Sequence, residues 1–69
     1  MDTPTTVPGP TLAAHRKAYG ISRQALADRL GLHRNTLMAW ENAHEVTVLR
    51  QRRYLAALRE LVEQIDGAA

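Results

Sequence analysis

Apolar residues in the middle of the chain recur at helical spacing. Between residues 22 and 30, Leu26, Ala27 and Leu30 stand at i, i+1 and i+4, which predicts a short helix with one buried stripe. Ser22 occupies the position of an N-cap. Gly31 ends this helix, because glycine reaches positive φ without a Cβ clash. Leu32 anchors a tight turn, and a second helix is predicted from near His33 to Asn42. Leu37 and Trp40 share its inward face, with Thr36 and Glu41 at the margins. Asn35, Met38, Ala39 and Asn42 face the other way, with Arg34 on the flank.

The same spacing extends to both sides. A first helix is predicted over residues 11–19, with Leu12, Ala13 and Tyr19 on its apolar side and Gly20 as its stop; Ile21 then packs inward. Residues 43–47 read as a linker. Thr47 caps a final helix that reaches Ile65 or Asp66 and is closed by Gly67. There Val48, Leu55 and Val62 alternate with Leu58 and Ile65 at 3–4 spacing, and Tyr54 and Leu61 widen the stripe. Its first half is expected to close the core. Its second half, with Leu55, Leu58, Leu61, Val62 and Ile65, offers a face to a second subunit or another partner. Residues 1–10 hold all three prolines and no periodicity, so they are expected to form a disordered arm. The predicted architecture is all-α: a helix-turn-helix bundle of four helices, or five, over residues 11–66, with 67–69 as a tail.

Length and composition narrow the class. At 69 residues the chain makes one domain with a modest core. It has no cysteine, hence no disulfide framework. No apolar run approaches the roughly 18 residues of a membrane span, and the start lacks the layout of a signal peptide. A cytoplasmic location is expected. The formal charge of +2 becomes informative when mapped. Residues 10–53 carry eight basic against three acidic side chains, a net of +5, whereas the segment from 54 onward carries −2. The basic residues are arginines apart from Lys17, which suits bidentate contact with phosphate or guanine. A polyanion is the natural partner of such a segment. Two short helices joined by a turn, the second opening with Arg, Asn and Thr, have the form of a unit that reads DNA.

From Leu12 to Asn42 the chain reads L-x(3)-R-x(2)-Y-G-I-S-R-Q-x-L-A-x-R-L-G-L-x-R-x-T-L-x-x-W-E-N. This resembles the lambda-repressor-like helix-turn-helix domains of the Xre/Cro class. Ala27, Gly31, the apolar positions and the Trp40-Glu41 pair agree together. The resemblance implies that the third helix enters the major groove of double-stranded DNA while the second crosses the backbone. Arg34 and Asn35 would then be the main base readers, with His33, Thr36 and Ala39 at the edge. Arg23 and Asn42 would contact phosphates. Arg16 and Glu41 occupy positions that often form a partly buried ion pair, whose breaking would cost about 3 kcal/mol if buried. Arg23 lies in the first turn of its helix, where a cation opposes the dipole, which a nearby phosphate would explain. Arg50 and Arg53, at the start of the last helix, are further candidates for phosphate contact. The chain departs from the family at His33, where Ser or Thr is usual, at Ala43, where glycine is common, and in its single long last helix.

Other chemistry finds little support. The three histidines, His15, His33 and His44, have no cysteine or i+3/i+4 partner, so no metal site is expected. A cationic His33 would add a phosphate contact at lower pH. No nucleophile–base pair, phosphate loop or carboxylate pair is visible, so no enzyme activity, cofactor or small-molecule ligand is expected. Three readings stand: a Cro/Xre-type repressor acting as a homodimer on a two-fold operator, an antitoxin or co-regulator that holds a protein through the last helix, and an excisionase-like architectural factor that bends DNA.

Overall fold

In the computed structural model, residues 6–68 are described, with side chains through Asp66. They form four helices and no strand: α1 (Gly9–Ala18), α2 (Arg23–Leu30), α3 (Arg34–Asn42) and α4 (Val48–Ala68). Each boundary has a local cause. The Ser22 hydroxyl accepts the Ala25 N–H at 3.0 Å and starts α2. At its other end Gly31 adopts φ 71°, Leu32 N–H donates to the Ala27 carbonyl at 2.9 Å, and Gly31 N–H donates to Asp28 at 3.2 Å. This Schellman closure makes the sharp turn into α3. His33 caps α3 through Nδ1, which accepts the Asn35 N–H at 3.0 Å. Thr47 Oγ1 accepts the Arg50 N–H at 3.3 Å and starts α4.

Several boundaries differ from those the pattern predicts. α1 begins at Gly9 rather than residue 11, with Pro8 as its cap. Val46 N–H donates to the Val7 carbonyl at 2.8 Å, in an antiparallel bridge between the two residues. Gly9 N–H donates to the Ala43 carbonyl, also at 2.8 Å. The expected disordered arm is therefore wrong for residues 7–10: backbone bonds to the segment after α3 order them, and no hydrophobic period announces such bonds. Residues 1–5 of that expectation lie outside the described residues. The last stretch is one helix, so the five-helix alternative falls. Nor does Gly67 stop α4, which runs through Ala68 and takes in most of the expected tail. One glycine in a helix costs only about 1 kcal/mol relative to alanine.

The core is assembled from all four helices and the linker. Leu12, Ile21, Leu26, Ala27, Leu37, Trp40, Val46, Tyr54, Ala57 and Leu58 form one buried cluster. α1 packs on α3, while α4 closes over α2 and α1. Two apolar assignments are corrected. Tyr19 follows the end of α1 and is 58 % exposed. Leu58, expected on the partner face, is only 3 % exposed and belongs to the core. Leu61 and Val62 are half-buried against that core, so only Leu55 and Ile65 of the predicted face are exposed. The cause is helical phase. Tyr54, Ala57, Leu58 and Leu61 form the inward row, and Leu55 falls on the opposite shoulder. Among the described residues no helix is long and apolar enough to cross a membrane.

Candidate nucleic-acid interface

The outer face of α3 is built by anchoring its rear. Leu37 is fully buried, Trp40 nearly so, and Glu41 is only 2 % exposed. With those three fixed inward, the remaining positions are forced outward. Arg34, Asn35, Thr36, Ala39 and Asn42 are exposed, as is the capping His33. Met38 is half-buried. Arg34 and Asn35 occupy the first turn of the helix, the part that meets base edges when such a helix docks in a major groove. α4 leaves both side chains exposed.

Glu41 holds the elements around this face together. Its Oε2 accepts from Arg16 Nε at 2.8 Å and from the Tyr54 hydroxyl at 2.5 Å. Its Oε1 accepts from Arg23 Nε at 2.8 Å and from Arg16 Nη2 at 3.3 Å. Arg16 also donates to the Ile21 carbonyl at 3.0 Å. One carboxylate thus ties α1, α2 and α4 to α3. Among the described residues no buried side-chain N or O lacks a hydrogen-bond partner, the condition under which a buried charge is tolerable. Burial raises the Glu41 pKa, but hydrogen bonds from Arg16, Tyr54 and Arg23 and the charge of Arg16 outweigh it and hold the carboxyl below its ordinary range. The hydrogen bond to Glu41 raises Arg16, and burial with the Glu41 contact pushes the Tyr54 hydroxyl well up.

Three further cations have partners within the fold. Arg23, on α2, has the Glu41 carboxylate as its local partner, so its place at the positive end of a helix is explained without a phosphate. Arg29 donates its Nε to Glu60 on α4 at 2.6 Å. Arg50 lies over the Trp40 ring, with Cζ 5.3 Å from the centroid, a cation–π contact that fixes the arginine beside α3. Arg53 lines a shallow depression with Arg29, Leu32 and Trp40. On the other side of Leu32, His33 and Arg34 line a second depression. Arg50 and Arg53 are thus brought together beside Trp40. Arg23 and Asn42 lie instead near Lys17, on the α1 side.

The His33 ring has a structural task at Nδ1, the cap of α3. An imidazole that accepts at Nδ1 carries no proton there. Tyr54 is the functional residue the sequence did not disclose as such. Its place in the α4 stripe marks it as core, and nothing in its spacing shows that its hydroxyl meets Glu41. Among the described residues no cluster of three His, Asp or Glu side chains forms a potential metal site.

Comparison with known proteins agrees with this geometry. A family model described as helix-turn-helix matches residues 12–61, which takes in α2, α3 and most of α1 and α4. Neither the curated proteins nor the solved structures yielded a significant match. The matched segment covers well over half of the chain, and the chain belongs to the Xre/lambda-repressor-like helix-turn-helix family of DNA-binding regulators, a family not typically enzymatic.

Proposed function

We propose that this protein is a sequence-specific repressor that reads the major groove with α3 and acts as a homodimer on a two-fold operator in the bacterial or phage-infected cytoplasm. The observation that carries the reading is the exposure of Arg34 and Asn35 in the first turn of a helix whose rear is locked by Leu37, Trp40 and Glu41. A guanidinium forks onto the O6 and N7 of guanine, and an amide onto the N6 and N7 of adenine. Thr36, Ala39 and His33 flank these two at the groove edge. Asn42, Arg50 and Arg53 serve the phosphates, as does Arg23 through the part of its guanidinium that is not bonded to Glu41; such contacts fix register without carrying sequence information. In a dimer the two copies of α3 would lie about 34 Å apart, one turn of DNA. Occupancy of a promoter then blocks polymerase sterically.

Selection of bound duplexes from a random pool, at stated salt, tests this reading. A palindromic consensus with a defined half-site spacing is expected. Recovery of no consensus would overturn it. Arg34→Ala is expected to remove discrimination at one base position, a loss of about 1–3 kcal/mol in the specific-to-random ratio. An unchanged ratio would remove Arg34 from the base readers. Arg53→Ala is expected to weaken all duplexes alike and to reduce the salt slope by about 1, as competition binding across a salt series would read.

A further inference from the structure

Beyond Val62, α4 is not used by the core, and the charges of its outer part are segregated along its length. Tyr54, Ala57 and Leu58 are the last fully buried residues of α4, and ten helical residues follow Leu58. Ile65 continues the inward row but is 56 % exposed. Beside that row runs a groove between α1 and α4, lined by Tyr19, Leu55, Leu58 and Val62 together with Arg59 and Glu63. Helical phase places Arg52, Arg59, Glu63 and Asp66 on one shoulder of this apolar line. The shoulder is basic at Arg52 and Arg59 and acidic at Glu63 and Asp66.

We propose that this surface receives a second copy of the same chain, with the two α4 helices antiparallel about a two-fold axis near residues 58–59. The inference rests on the homodimer reading above and names its interface. Charge order decides the occupant and its direction. A parallel copy would set Arg52 against Arg52 and each acidic residue against itself. An antiparallel copy sets Arg52 against Asp66; the two Arg59 side chains then flank the axis, each about one helical turn from Glu63 of the other copy. The same two-fold puts Leu55 of one copy against Val62 of the other, and the reverse, so the apolar line is self-complementary as an isologous interface requires. Ile65 and Tyr19 are then covered. Arg34 and Asn35 lie outside this surface, so the proposed contact leaves α3 open to DNA.

A charge-swap cycle read by sedimentation equilibrium tests the arrangement. The wild-type chain is expected to dimerise in the micromolar range. Arg52→Glu and Asp66→Arg are each expected to weaken dimerisation about tenfold, since two symmetric pairs turn repulsive. The double variant is expected to return most of the loss, and circular dichroism should show all variants equally helical. Val62→Glu is expected to give a monomer. A wild-type chain that stays monomeric at high micromolar concentration overturns the proposal, whether or not another protein binds there. A double variant no tighter than the singles overturns the antiparallel register. Duplex binding separates this failure from that of the DNA reading: a monomer that still prefers a selected half-site, and loses the preference with Arg34→Ala, leaves base reading intact.

Discussion

Replacing Glu41 with glutamine is expected to cost the fold about 3–5 kcal/mol, because the change leaves the buried Arg16 guanidinium without its counter-charge. The carboxylate accepts from Arg16, Arg23 and Tyr54 at once. A glutamine amide has only one oxygen to offer, and its NH2 group faces donors. Small domains are held by about 5–15 kcal/mol in all, so much of the stability is at stake. Urea unfolding followed by circular dichroism reads the loss. A cost below about 1 kcal/mol would show that the network is not what holds α3 in place. Arg23→Gln is the informative comparison: Arg23 is partly exposed, whereas Arg16 is buried, so its removal should cost less.

The same residue sets an acid limit. The folded-state pKa of Glu41 lies below its ordinary value. Its contribution is therefore complete above the ordinary carboxylate range and is lost as pH falls through the lowered value. Wild-type stability is expected to drop on acidification, and Glu41→Gln should flatten that drop. Tyr54 acts at the other end. Burial first, and then the contact with Glu41, raises its pKa. The neutral hydroxyl therefore contributes stability in full below the ordinary tyrosine range, about pH 10, and that contribution declines above it.

The second large effect is expected at Gly9. A Cβ built there would collide with the Trp40 carbonyl oxygen and stand 2.6 Å from the carbonyl carbon and oxygen of Glu41. The obstacle is backbone, not a flexible side chain that can swing away. Gly9→Ala is expected to destabilise by about 3 kcal/mol, the upper end of overpacking costs, even though alanine is the better helix former. It should act on DNA binding as well, because α1 could relieve the clash only by moving away from the end of α3. Thermal unfolding together with duplex binding checks this. An unchanged melting temperature would mean that α1 and α3 do not approach as closely as the structure places them.

Legibility in the sequence followed the range of the interaction. The α2–turn–α3 unit could be read because its determinants are local: a hydroxyl at Ser22, a glycine at Gly31 and an apolar period around Leu26 and Leu37. The outward placement of Arg34 and Asn35 followed from the same phase. α4 was legible as a helix but not in its division of labour. Leu55 and Leu58 belong to one apolar stripe, and only the position of α1 and α2 decides that Leu58 is covered and Leu55 is not. The pairing of Arg23 with Glu41 is not legible for a related reason, since no local rule pairs residues 18 positions apart.

The sequence by itself determined where the helices start and stop through most of the chain, which face of α3 is apolar, and that positive charge gathers before residue 54. These are consequences of caps, glycines and period, which act within a few residues. Only the tertiary structure decided that residues 7–10 are ordered by backbone bonds to the segment after α3, that Gly9 is required by a close approach, and that Tyr54 completes the Glu41 network. Each depends on two distant segments meeting at atomic contact, and the free energy of that meeting comes from burial of the shared core, which no local pattern encodes.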